Sequence, residues 1–173
     1  MHLHIMLTNA IAALFPLVIG MVWFNPKVFG TAWMTSIGMS QDSMKGGNMI
    51  LVFGLTYVFS FFLAFSLDGI VIHQFGLLSL LQSPAGQAPS PAQHDDLIAM
   101  LSKYSGNFRS YKHGALHGTI AGITIALPII GVNALFERRG FKYIAINVGF
   151  WTVCLAIMGA FICHFADTSF MMK

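Results

Sequence analysis

Residues 113–136 read HGALHGTIAGITIALPIIGVNALF, with no Asp, Glu, Lys or Arg anywhere in the stretch. An α-helix rises about 1.5 Å per residue and the hydrocarbon core of a bilayer is about 30 Å thick, so about 20 apolar residues make one crossing. This stretch is long enough to cross. Gly114, Gly118 and Gly122 recur at four-residue spacing, followed by Ala126, which puts a smooth stripe on one helix face where a partner backbone can approach closely. Pro128 lacks an N–H and predicts a bend in the last third of the helix. His113 and His117 open the stretch one turn apart, so both imidazoles share a face.

Three further stretches of the same character lie on either side, at 5–24, 49–67 and 143–164. Hydrophobic residues make up 56% of the chain and charged residues 9%, with a mean hydropathy of +0.73; a soluble domain carries about 25% charged residues. The reading is an all-α polytopic membrane protein, one domain over residues 1–173, with four transmembrane helices in a bundle. The first span has no Lys or Arg before it and is longer than the apolar core of a signal peptide, so it is expected to stay as an uncleaved helix. No run of basic residues could track a phosphate backbone, which argues against nucleic acid as a partner. Cys154 and Cys163 lie on one helix about 13 Å apart at 1.5 Å per residue, too far for a disulfide.

The first span ends in Trp23-Phe24-Asn25-Pro26, where tryptophan suits the headgroup zone and proline disfavours helix in the residue before it. A loop with Phe29, Gly30 and Trp33 then runs to Lys45-Gly46-Gly47, with Trp33-Met34 expected to lie in the interface. The second apolar region continues past Asp68-Gly69 toward Leu81. As one helix it would be about 50 Å long, so it either tilts and projects or breaks near Asp68-Gly69. Residues 82–112 are a connector. Its Ser83–Gln93 part is rich in Pro, Ala, Gly and Ser and reads as flexible. After it, Asp95-Asp96 can cap a short amphipathic helix with Leu97, Met100, Leu101 and Tyr104 on one face, resting on the bilayer. Lys27, Lys45, Arg138, Arg139 and Lys142 share one membrane face and Lys103, Arg109, Lys112 and Lys173 the other. The positive-inside rule then puts both termini and the connector on the non-cytoplasmic side.

Threading the helices gathers Asp68, His73, His113, His117, His164 and Asp167 at one face, with His2, His4 and His94 nearby as bystanders. Imidazole and carboxylate are ligands for Zn, Fe, Mn or Cu ions. His113 and His117 are the candidate metal ligands, with a third to come from Asp68, His73 or His164. Interface placement, proton handling and interhelical hydrogen bonds explain the same histidines without a metal. Asp68 is the strongest single candidate, as an ionisable group in an apolar region. At the other face Asn133, Glu137 and Asn147 could bond across the Glu137–Gly140 turn. The methionines follow no Met-x-x-Met pattern, and no phosphate loop, GxSxG elbow or HExxH pair is present, so no enzymatic activity is expected.

The ordered set Trp23-Phe24-Asn25-Pro26, Phe29-Gly30, Trp33-Met34, His113-Gly114, His117-Gly118, Leu127-Pro128, Leu135-Phe136-Glu137, Asn147 and Gly149-Phe150-Trp151 resembles a bacterial membrane family, the domain-of-unknown-function family 1761. The resemblance covers both ends of the chain and leaves residues near 82 to 108 aside. It implies a compact four-helix protein of the bacterial inner membrane and carries no activity. Three functions fit the residues. The first is assembly, as a homo-oligomer or a small subunit of a membrane complex, using the glycine stripe. The second is a carrier or channel for a proton, metal ion or small solute. The third is a metal or haem held between helices.

Overall fold

The computed structural model describes residues 3–40, 42, 47–81 and 90–172. His2, Lys45, connector residues 82–89 and Lys173 fall outside these described residues. Everything regular in the described residues is helical, and four helical stretches are long and apolar enough to cross a membrane: Leu3–Trp23, Met49–Val71, Tyr111–Phe136 and Phe141–Phe165.

The first crossing is two helices, α1 (Leu3–Ala12) and α2 (Phe15–Trp23). Pro16 interrupts them, because it has no N–H to give the carbonyl of Ala12. The segment after it is helical rather than an irregular loop. Asn25 Oδ1 accepts from Lys27 N, Pro26 opens a π-turn over Pro26–Gly30, and α3 (Thr31–Ile37) follows and stops at Gly38, whose φ is +71°. Gly30 is required in the π-turn, since a Cβ there would sit 2.1 Å from the carbonyl oxygen of Phe24.

The second crossing, α4 (Met49–Val71), runs past Asp68-Gly69 without a break. The chain turns at Ile72-His73 instead and resumes as α5 (Gln74–Leu81). Next comes the amphipathic α6 (Pro91–Tyr104). Asp95-Asp96 do not cap it. Ser90 does, through a reciprocal pair with Gln93 and with Pro91 in the first position, a stronger start signal than two internal aspartates. Of its expected apolar face Leu101 is buried and Leu97 half-buried, while Met100 and Tyr104 stay exposed.

The third crossing joins α7 (Tyr111–Ala121), a π-turn at Gly122–Ala126, and α8 (Leu127–Phe136). The expected effect of Pro128 thus takes the form of a widened turn just before it, one of the ordinary ways a helix accommodates a missing donor. The fourth crossing, α9 (Phe141–Phe165), is central and packs against α1, α2, α3, α4, α7 and α8. Of its buried side, Leu155, Met158, Ile162 and Cys163 share the core with Ala64, Leu67 and Val71 of α4, while Ile146, Phe150 and Cys154 are buried nearer its start.

The glycine stripe faces α9. A Cβ on Gly114 would lie 2.1 Å from the carbonyl oxygen of Gly159, one on Gly118 2.0 Å from that of Leu155, and one on Gly122 2.6 Å from the Cα of Thr152. The stripe is therefore taken up within the protomer. On the outside, Ile50, Phe59, Phe62 and Phe65 of α4 are exposed, which a bilayer accepts and water does not.

Candidate metal centre

Two pieces of chain meet at the end of the bundle where α4 finishes and α7 begins. One is the turn at Ile72-His73. The other is the first two turns of α7, started by Ser110, whose hydroxyl accepts from His113 N at 3.3 Å. The close Gly114–Gly159 contact draws the start of α7 onto the end of α9.

These pieces bring three histidines together. One ligand nitrogen from each of His73, His113 and His117 lies within 4.8 Å of the others. Nε2 of His73 is 2.9 Å from Nε2 of His113, and the ring centroids are 4.4 to 5.0 Å apart. Phe108 packs beside His73 and His113, at centroid distances of 5.9 and 5.1 Å. His73 is exposed and the other two are half-buried, so the cluster is open on one side. A cleft of about 510 Å³ lined by His73, Gln74, Leu77, Tyr104, Asn107 and Phe108 adjoins it.

The surrounding groups hold this end of the fold in place. Gln74, next to His73, donates through Nε2 to the carbonyls of Tyr104, Ser105 and Asn107 at 2.8, 3.2 and 3.1 Å, tying α5 to the end of α6. Cys163 Sγ lies 3.3 Å from the carbonyl oxygen of Val71 and 3.2 Å from that of Phe108. It joins the end of α4 to the segment before α7. Phe108 itself has a φ of +60°, an uncommon conformation for a residue with a side chain. Arg109 donates to the carbonyl of Ala166, just after α9. Burial pulls its guanidinium below the usual arginine range, against the opposing fields of Cys163, Asp68 and Asp167.

The other residues of the expected cluster are elsewhere. Asp68 points to α1, where Asn9 Nδ2 donates to its Oδ2 at 2.6 Å. His164 stacks on Tyr111 at 3.9 Å, and Asp167 accepts from the backbone and hydroxyl of Ser169. His4 and His94 are exposed. At the opposite face the expected bonding across the turn does not form. Asn147 donates back to the carbonyl of Tyr143 in its own helix at 2.7 Å, Glu137 lies 3.8 Å from Arg139 two residues on, and Asn133 is exposed. That face is built of aromatics instead: Trp23 donates to the carbonyl of Ile146 at 3.2 Å and packs on Phe150, which packs on Phe24, which in turn meets Trp33.

Sequence reading passed over Asn9, Gln74 and Phe108, and took Arg109 only as one of the charges on its membrane face. Asn9 carried a signal, as an amide inside an apolar span; Gln74 opens α5 and Phe108 and Arg109 lie between α6 and α7, at places no periodicity reveals.

Three neutral imidazoles form a donor set suited to Zn, Cu, Fe or Ni ions. Zn–N bonds of about 2.0–2.1 Å in a tetrahedral site place nitrogens about 3.3 Å apart. The His73–His113 pair, at 2.9 Å, is a little closer than that, and the three nitrogens all lie within 4.8 Å of one another. A haem held between two imidazoles needs room for the macrocycle, and ring centroids 4.4 Å apart on consecutive turns of α7 leave none.

No curated protein and no solved structure matches the chain. A family model described as a protein of unknown function, DUF1761, matches residues 7–163, and the chain belongs to that family.

Proposed function

We propose that this multi-pass membrane protein binds a transition-metal ion through His73, His113 and His117 at one membrane face. The observation that carries the reading is the convergence of three ligand nitrogens within 4.8 Å from two separate parts of the chain. The open side of the cluster, beside the adjoining cleft, would suit a site that acquires and passes on its ion or binds a small ligand on it. The charge distribution supports placing this face outside the cytoplasm. The glycine stripe, which favoured assembly in the sequence, packs against α9 inside the protomer and lends assembly no support.

The test is metal analysis by plasma mass spectrometry on protein purified without a histidine tag, comparing wild type with His73→Ala and with His113→Ala/His117→Ala. One ion per protomer in wild type and loss in both variants is expected. Imidazole binds metal only when neutral, so bound ion should also be released on acidification. An ion retained in both variants, or wild type that takes up no Zn, Cu, Ni or Co on titration, would refute the reading.

A further inference from the structure

Asn9 of α1 and Asp68 of α4 meet where the first two crossings pack, and they are 1% and 5% exposed. Asn9 Nδ2 donates to Asp68 Oδ2 at 2.6 Å. The remaining oxygen of each group, Asn9 Oδ1 and Asp68 Oδ1, is buried without a hydrogen-bond partner. A carboxylate and an amide carbonyl are both acceptors, so neither oxygen can satisfy the other while Asp68 is charged. Buried polar groups are ordinarily paired, and two orphans on two groups already joined by one hydrogen bond call for a shared explanation. A single proton supplies it. Protonated Oδ1 becomes a donor, and the acid and the amide can then bond in both directions.

We propose that Asn9 and Asp68 form a proton-binding site inside the first helix pair, with the proton carried on Asp68 Oδ1 and directed to Asn9 Oδ1. The site stands on its own geometry and does not rest on the metal reading. Arg109 is the cation whose field reaches Asp68, but no ion pair joins them, and its guanidinium donates to Ala166. At this end of α9, Cys163 lies against the carbonyls of Val71 and Phe108 and His164 stacks on Tyr111. On α7, His113 and His117 gather on His73, and on α1 His4 is exposed. A sodium ion or a water between the two oxygens would leave the carboxylate ionised and is therefore a distinguishable occupant.

Infrared spectroscopy of the whole protein in nanodiscs, in sodium-free buffer near neutral pH, reads the protonation state directly. The wild-type minus Asp68→Asn difference is expected to contain a protonated-carboxyl C=O band that shifts in D2O. In Asn9→Leu the band should move to higher frequency, because the acid loses its partner. Asp68→Asn offers the same donor and acceptor as the protonated acid, so its Tm should match wild type. A difference spectrum showing only carboxylate bands overturns the proposal, and carboxylate bands with a Tm that rises on adding sodium identify a sodium site instead. If Asp68→Asn does not fold, ¹³C-aspartate labelling of wild type and Asn9→Leu decides the matter: an unchanged carboxyl region overturns the proposal.

Discussion

Gly118→Ala adds one methyl group at the tightest point of the α7–α9 contact. Its Cβ would lie 2.0 Å from the carbonyl oxygen of Leu155, 2.6 Å from the carbonyl carbon and 2.8 Å from the Cα of Ala156. All three are backbone atoms, so no side chain can rotate away. Opening 2.0 Å to the 3.4 Å of an ordinary contact requires the helices to part by about 1.4 Å. Overpacking that flexible side chains can absorb costs about 1–3 kcal/mol; here the whole interface must separate, and a loss of about 3 kcal/mol or more is expected, roughly 100-fold in the folding equilibrium. Gly131→Ala is the control, because a Cβ there meets nothing within 4 Å and should be neutral or gain up to about 1 kcal/mol of helix propensity. Reversible unfolding in mixed micelles, followed by far-ultraviolet circular dichroism, reads both. Since His117 precedes Gly118 and His73 is on a different element, Gly118→Ala should also weaken metal binding in the same samples. A Gly118→Ala protein within about 0.5 kcal/mol of wild type would refute the close-packing argument.

Two further outcomes follow from the groups around the site. Gln74→Leu removes the donor shared by the carbonyls of Tyr104, Ser105 and Asn107, and should cost about 1–3 kcal/mol while raising amide exchange at the end of α6; unchanged exchange there would mean that Gln74 does not tie α5 to α6. Cys154 and Cys163 are both buried with free thiols, so a maleimide should label neither in the folded protein and both after denaturation in SDS; rapid labelling of the native protein would contradict the packing around α9.

The four crossings were legible because length and apolarity suffice to define them, and α4 and α9 need nothing more. The ends were harder. Gly69 after Asp68 looks like a breaking point, yet α4 continues through it because Asp68 is held by Asn9 and Val71 is buried against α9; the break comes at Ile72, whose backbone is extended (φ −112°, ψ 93°). His113 and His117 were legible as a pair because helical spacing puts them on one face. Their meeting with His73, rather than with Asp68 or His164, depends on how α4 is rotated and where it stops. Neither is encoded in a local pattern. The glycine stripe was legible as a packing surface, but a stripe cannot say whether its partner is the same chain or another.

The same short helix, α7, carries both the glycine stripe and two of the three ligands, so its seating on α9 also sets the site. Gly114 and Gly118 each follow one of those histidines, and each is held against backbone of α9, which leaves α7 little freedom to slide or roll. His73 is fixed from the other direction, since Gln74 anchors α5 and Cys163 of α9 lies against the carbonyl of Val71. All three imidazoles are therefore placed by reference to α9. Nε2 of His73 and Nε2 of His113, 2.9 Å apart, have room for one hydrogen between them, and two neutral imidazoles satisfy that contact as donor and acceptor. An ion held there would take the lone pairs of both Nε2 atoms, with each ring's hydrogen on Nδ1, and His117 would be the third ligand. The rigidity that makes Gly118→Ala costly is on this view what keeps three neutral ligands together without a carboxylate among them.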